Sequence, residues 1–415
     1  QSLLSMASDK HVTMMLRIRR NIKLKRLCMQ GLLIFVFIII VLLVNRLVWD
    51  LCGYMPTPPG NQVNRDFDKY ITTYKHNHWK KADVKNILIW TPFFHGWGWV
   101  EDAKNAMKTC PASCSVTNDK SKLGSSDAIV FHASDLWKYS GLVGTVHNVD
   151  TEMPKTRTPN QVWAVVSWEP IIYMWGTIKP NTFNWTVLHR RESTIYNPFT
   201  NYYKKTEEEI KSDRYVNENR NYFKEKTKFA TTLVSNCMDQ AKRYQIIREL
   251  QRYIDLDYYG YCSGNINCPA GVPTSECGKR FMKDYKFYLA FENSFCRDYV
   301  SEKFWNALER RQIPVIAAPK YNLELLPPNS YLNVFDFPSI KALADKMIEI
   351  SNNETLYNSF FDWLPLYKVN PESVYCKICK ELHANRPAQS YTDMEGWIKD
   401  DICYKSTVSI VLQSH

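Results

Sequence analysis

The period of the hydrophobic pattern changes several times along the chain, and the changes divide it into segments. The longest apolar run is Leu32–Val44, entered through Leu27-Cys-Met-Gln-Gly31 and left through Asn45-Arg46-Leu-Val-Trp49. As a helix, Leu27 to Val44 extends roughly 27 Å, close to the hydrocarbon thickness of the thinner, early secretory membranes. A cleaved signal peptide fits less well, because the run is long for an apolar signal region and no small-x-small cleavage site follows. Residues 50–85, with Pro56, Pro58, Pro59 and Gly60, lose periodicity and read as a stem.

From Asn86 short apolar runs alternate with amphipathic stretches. Ile87–Trp90 and Asp127–Phe131 read as buried strands, and Val165-Val166 as the end of another. Between Tyr196 and Lys228 the chain is charged and poor in aliphatic residues, with Glu207-Glu-Glu209 in an exposed helix. A domain junction is expected there. Beyond it, Lys228–Val234, Tyr285–Phe291 and Ile313–Ala318 are strands. Helical spacing covers Asp239–Tyr253, Ser301–Arg311 and Ser339–Ile350, the last turning Leu343, Met347 and Ile350 inward. Alternation of this kind implies an α/β fold with parallel sheets covered on both faces. The expected organisation is a basic tail over 1–26, an anchor over 27–49, the stem, α/β domains over 86–215 and 216–385, and a C-terminal extension over 386–415.

Charge orients the anchor. More than half of the formal net charge of +11 lies before the apolar run, in Lys10, Arg17, Arg19, Arg20, Lys23, Lys25 and Arg26 against the single acid Asp9. A basic block beside an apolar span marks the cytosolic flank, which puts the C-terminal bulk in the lumen of a single-pass type II protein. It also argues against nucleic acid as a partner, since the rest of the excess is dispersed. Of the 12 cysteines, Cys28 lies on the membrane side and the other eleven follow it. An odd luminal number leaves at least one thiol free or paired between chains. Asn184-Trp-Thr186 and Asn353-Glu-Thr355 are glycosylation sequons.

The candidate chemistry concentrates in Tyr285–Leu308. It reads as a buried strand, a polar loop, then a helix with Ser301 as N-cap and Glu302 in its first turn. Ligands of parallel sheets sit beyond the carboxyl ends of the strands, where helix N-termini favour phosphate. Lys303 can face a diphosphate there, and Glu302 can accept from sugar hydroxyls. A capped surface helix with an ordinary Glu-Lys pair explains the same residues. Upstream, Glu169 in Val165-Val-Ser-Trp-Glu-Pro170 stands at a strand end, as a structural carboxylate or as a general base.

The ordered set Phe287-Tyr-Leu-Ala-Phe-Glu-Asn-Ser294, Asp298-Tyr-Val-Ser-Glu-Lys303, Ile313-Pro-Val315, Tyr321-Asn322 with Glu324, Pro327-Pro328, Asp336-Phe337, Tyr357–Trp363 and Cys376-x-x-Cys379 resembles the α1,3-fucosyltransferases. The likeness extends more weakly upstream to about Ile87. It implies a GT-B fold of two Rossmann-like domains facing a cleft, with the acceptor side over 86–215 and the GDP-fucose side over 216–385. Asn293, Tyr299, Glu302 and Lys303 match the family's donor-binding positions, and Arg243 its arginine for the diphosphate. Glu169 matches the base that deprotonates the acceptor hydroxyl, although the usual second position of that motif is already Pro170. Arg190 falls in the acceptor-domain segment, where it lines the cleft or forms a structural ion pair.

The resemblance also implies that Cys110 and Cys114 bond to Cys376 and Cys379, which would leave no zinc site in the Cys-x-x-Cys pair. No Asp-x-Asp sequence stands in a convincing glycosyltransferase metal context, so no cofactor is expected, with Mn or Mg at most stimulatory. The implied activity is inverting α1,3 transfer of L-fucose from GDP-β-L-fucose to a GlcNAc of a glycoprotein N-glycan, at the Golgi membrane. Cys262, Cys268, Cys277 and Cys296, with Tyr391-Thr-Asp, Trp397 and Cys403, look like the invertebrate subgroup that modifies the innermost GlcNAc of the core. A Lewis-type enzyme acting on outer lactosamine is the alternative acceptor reading, and a glycan-binding homologue without catalysis is the alternative of another class.

Overall fold

The structure, a computed structural model, describes residues 71–74, 84–94, 96–136, 153–170, 178–213, 220–237, 239–263, 282–370, 372–384, 387–399 and 403–404. The expected tail, anchor and nearly all of the stem lie outside these residues, as do Cys28, Cys52, Cys268 and Cys277. Among the described residues no helix is long and apolar enough to cross a membrane.

The first half runs β1 (Ile71–Tyr74), β2 (Lys85–Ile89), α1 (Gly98–Met107), β3 (Cys114–Thr117), β4 (Ala128–His132) and α2 (Ala133–Leu136). It continues with β5 (Val162–Val166), β6 (Trp185–Leu188), β7 (Ile195–Tyr196), β8 (Asn201–Lys204) and α3 (Glu207–Ser212). Strands β3-β2-β4-β5-β6-β7 form one parallel sheet in that order. Its central strands are buried along their whole length, which is why they read as continuous apolar runs.

The second half runs β9 (Lys228–Leu233), α4 (Arg243–Leu250), β10 (Leu256–Tyr259), β11 (Tyr285–Leu289) and β12 (Phe295–Cys296). Then come α5 (Glu302–Glu309), β13 (Ile313–Ile316), β14 (Leu332–Asn333), α6 (Ile340–Ser351) and α7 (Glu354–Ser359). Strands β10-β9-β11-β13-β14 make the second parallel sheet. Ser339 caps α6 through Ala342 N at 3.1 Å. Helix α4 begins four residues later than its spacing predicts. Lys242 sits at φ +54°, and the Asp239 carboxylate accepts from Arg243 N and Tyr244 N at 2.8 and 3.0 Å, so residues 239–242 form a capping turn instead of helix.

The chain then returns to the first half through β15 (Tyr367–Asn370), α8 (Val374–His383), β16 (Ala388–Tyr391), α9 (Met394–Lys399) and β17 (Cys403–Tyr404). β15 pairs antiparallel with β8, and β16 with β1. Helix α8 buries Val374, Tyr375, Ile378 and Leu382 in the core that holds Ile87, Val130 and Ala164. Disulfides Cys110–Cys376 and Cys114–Cys379 fasten it there, in the pairing the resemblance implies. A boundary at residue 385 therefore does not follow the packing, since α8 belongs to the core of the first sheet. Cys237–Cys262 and Cys296–Cys403 are further disulfides among the described residues.

Candidate active site

The two sheets bring their carboxyl ends together. Glu169 lies three residues past β5, and its Oε2 accepts from Asn293 Nδ2, four residues past β11, at 3.4 Å. The expected base and one expected donor-side residue therefore meet across the halves. Burial raises the Glu169 carboxyl above the ordinary 4.5, Lys303 opposes the shift, and Glu302 and Glu292 add to it.

The loop after β11 explains why those groups converge. Glu292 Oε1 accepts from Ser301 N at 2.7 Å, folding the loop back onto the start of α5. Ser301 is fully buried and caps that helix through Lys303 N. Lys303 Nζ then reaches Ser301 Oγ at 2.9 Å, Glu302 Oε1 at 3.1 Å and Glu292 Oε2 at 3.6 Å. Burial alone would lower the Lys303 pKa, but the Glu292 and Glu302 carboxylates hold the ammonium well above its usual range. Glu292 is shifted upward by burial, against the pull of Lys303. Sequence reasoning did not assign Glu292 a role. The signal was its place between Phe291 and Asn293 at a strand end, where an acid must answer a nearby charge.

Arg243 opens α4 and is 1% exposed. Its guanidinium donates to Phe291 O at 3.4 Å and to Asn236 O, at the carboxyl ends of β11 and β9. Ala241 N donates to Asn293 O at 3.1 Å, so the Arg243 turn is clamped to the Asn293 loop. Tyr299 is buried between the halves, its ring 5.0 Å from His189 and 6.1 Å from Phe199. Nearby, Asp298 at φ +60° receives Arg191 N and Nε, each at 3.0 Å. Arg190 is fully buried. It lies 4.3 Å over the Trp397 ring, donates to Trp397 O at 2.8 Å and stands 3.5 Å from Glu192, so its contacts are those of a structural cation.

The two sequons differ. Asn184 Nδ2 donates to Gln389 O at 2.7 Å and its Oδ1 accepts from Trp163 N at 2.8 Å, which ties β16 to the sheet. Asn353 is exposed and caps α7 through Leu356 N at 3.0 Å. Cys114, Cys379 and His383 lie close enough to suggest a metal set, but the two sulfurs bond to each other and His383 Nε2 sits 2.9 Å from Ser113 O. A cavity of about 690 Å³ beyond the far end of α5, lined by Trp305, Arg311 and Trp363, holds none of the convergent groups.

Comparison with known proteins fits this geometry. Residues 82–200 match the model of the fucosyltransferase N-terminal domain, and residues 223–397 that of glycosyltransferase family 10 (fucosyltransferase), C-terminal part. Alpha-(1,3)-fucosyltransferase C of Drosophila melanogaster is 30% identical over 76% of this chain and 77% of its own length. Glycoprotein 3-alpha-L-fucosyltransferase A of the same organism is 33% identical over 69% of this chain, which spans 55% of that relative's length. Alpha-(1,3)-fucosyltransferase 7 of Mus musculus is 30% identical over 69% of both chains. The chain belongs to glycosyltransferase family 10, the fucosyltransferases.

Proposed function

We propose that the chain transfers L-fucose from GDP-β-L-fucose to a GlcNAc hydroxyl in α1,3 linkage, by a single inverting displacement in a GT-B cleft. The observation that carries this is the approach of Glu169, from the first sheet, to Asn293, Glu292, Glu302 and Lys303 of the second. A carboxylate that burial makes more basic, facing a half-buried ammonium at a helix N-terminus, supplies a proton acceptor and an anion site opposite it. The acceptor oxygen forms its bond to fucose C1 as the C1–phosphate oxygen bond breaks. The hydroxyl proton goes to Glu169, and GDP leaves with the electron pair. Lys303 answers the growing charge on the diphosphate, with Arg243 adding positive potential from beneath. Asn293 and Tyr299 shape the donor side. These residues suffice without a metal, and Mn or Mg at most stimulates.

The acceptor in this reading is the innermost GlcNAc of the N-glycan core. Its support is the cysteine set, of which Cys262 and Cys296 are bonded to Cys237 and Cys403. Disulfides across the described residues favour an oxidising compartment, consistent with a type II anchor over 27–49 and a Golgi lumen. The purified chain, incubated with GDP-fucose and either a core N-glycan or lactosamine, tests both levels. Transfer to the core glycan alone is expected. Transfer to lactosamine alone makes it a Lewis-type enzyme, and glycan binding without transfer to either makes it a non-catalytic homologue.

A further inference from the structure

Beside Glu169 the first half carries a second feature that fucosyl transfer as described does not use. Phe93, Trp99, Trp168 and Tyr375 line an open cavity of about 420 Å³, with Asp102 and Gly98 at its rim. Residues 93–102, Trp168 after β5 and Tyr375 of α8, three stretches far apart in sequence, build it. A tight turn after β2, closed by Phe93 N to Gly96 O at 2.7 Å, presents Phe93. The first turn of α1 presents Trp99. Helix α8 presents Tyr375, held in place by the disulfide of the next residue, Cys376. The rings brace one another: Phe93 stacks on Trp99 at 5.7 Å and meets Trp168 edge-on at 5.3 Å, while Trp99 meets Tyr375 edge-on at 6.0 Å.

We infer that this cup is an acceptor subsite, which takes a neutral pyranose ring of the oligosaccharide next to the GlcNAc that receives fucose. The inference rests on the fucosyltransfer reading above and adds what holds the acceptor. A pyranose has an apolar C–H face and a rim of hydroxyls. The cup answers both, with aromatic faces for the first and few polar groups for the second. Two polar groups accompany the rings, one buried and one exposed. Trp99 is 5% exposed, and its Nε1 has no hydrogen-bond partner among the described residues. The exposed Asp102 carboxylate acts electrostatically on the Tyr375 phenol. The cavity lies within the roughly 300–1,000 Å³ of small-molecule sites. Trp168 places it beside the chemistry, because the next residue is Glu169. One short oligosaccharide can fill the cup and reach the base.

Gly98→Trp tests this without disturbing the core, because a Cβ added at Gly98 meets nothing within 4 Å. With an oligosaccharide acceptor its KM is expected to rise about tenfold or more. Its KM for GDP-fucose, and its rate on a GlcNAc monosaccharide glycoside, are expected to stay within about twofold of wild type. Asp102→Asn, on the exposed rim, is expected to show the same pattern more weakly, with its fold checked by thermal melting. An unchanged oligosaccharide KM in both variants overturns the subsite. If wild type transfers no fucose at all, the proposed function fails, and the cup is judged by saturation-transfer NMR with the oligosaccharide alone. Binding by wild type that Gly98→Trp abolishes then upholds it, and binding by both or by neither overturns it.

Discussion

Asn293 Nδ2 points at Glu169 Oε2 from 3.4 Å away, and this hydrogen bond ties the polar loop of one parallel sheet to the strand end of the other. It sets the carboxylate against the loop that carries Glu292 and leads to Lys303. After burial, which is the largest cause, residues of the second sheet therefore also bear on the basicity of Glu169.

Replacing Glu169 by Gln should lower kcat by about 10²–10⁴-fold, the contribution of a positioned base. In wild type the acid limb of the rate profile should lie above the ordinary glutamate value of 4.5, because burial raises this carboxyl. The same shift has a stability consequence. A carboxyl whose folded pKa is raised binds its proton more tightly in the folded state, so its contribution is lost as pH rises through the folded value. Glu169→Gln should therefore melt higher than wild type at neutral pH, and the gap should close below pH 4.5. Thermal melts across pH check the sign.

Lys303 stands among Glu292, Glu302 and Ser301. Lys303→Met should lower kcat by about 10²–10³-fold, as expected for loss of a group aimed at developing charge. It should also raise the KM for GDP-fucose. It further leaves the half-buried Glu292 without its cation, which is destabilising. The double variant Lys303→Met/Glu292→Gln should regain stability but not activity. Melting temperature and donor kinetics on the three variants separate the two effects.

Part of the site is legible from local rules and part only from the family resemblance. Glu169 lies just past an apolar strand and Ser301 at a helix cap, where period and capping chemistry are visible in one window, whereas Asn293 is matched by the resemblance alone and Glu292 is given a role by neither. The roles of Arg190 and Tyr299 depend on tertiary partners far along the chain. Trp397 lies 207 residues beyond Arg190 and closes over it, a contact no periodicity reveals. The aromatic cup escaped for the same reason, since Phe93 and Tyr375 meet only once α8 has returned to the first sheet. The start of α4 was misjudged because helical spacing is blind to one left-handed residue, Lys242.

His189 is fully buried beside Tyr299, and neither ring nitrogen has a hydrogen-bond partner among the described residues. Burial first, and Arg190 second, push its pKa down to about 3. The folded chain keeps this imidazole neutral while the unfolded chain protonates it near 6.5. Stability should therefore be full above that value and fall with acid, by up to about 1.4 kcal/mol per pH unit from this group. His189→Phe keeps a ring against Tyr299 and removes the titration. Its melting temperature should vary less than that of wild type between pH 6.5 and 4, and an identical pH dependence would refute the assignment.

The paired disulfides Cys110–Cys376 and Cys114–Cys379 close loops with sequence separations of 266 and 265 residues, and both fasten α8 to the first sheet. Their effects should be strongly non-additive. While either bridge remains, the other closes only the few residues between Cys110 and Cys114 and between Cys376 and Cys379. Removing one pair by Cys→Ser should then cost about 2–3 kcal/mol, the entropy of a short loop. Removing both opens the long loop as well and should cost more than twice that. The loss should also reach the chemistry. Tyr375 precedes Cys376, so α8 released from the sheet takes one wall of the aromatic cup with it. Denaturant titrations of the three variants should show the excess in the quadruple mutant, and acceptor KM should rise in that variant before GDP-fucose KM does. Equal and additive losses from the two single-bridge variants would mean that α8 is held by its buried face alone.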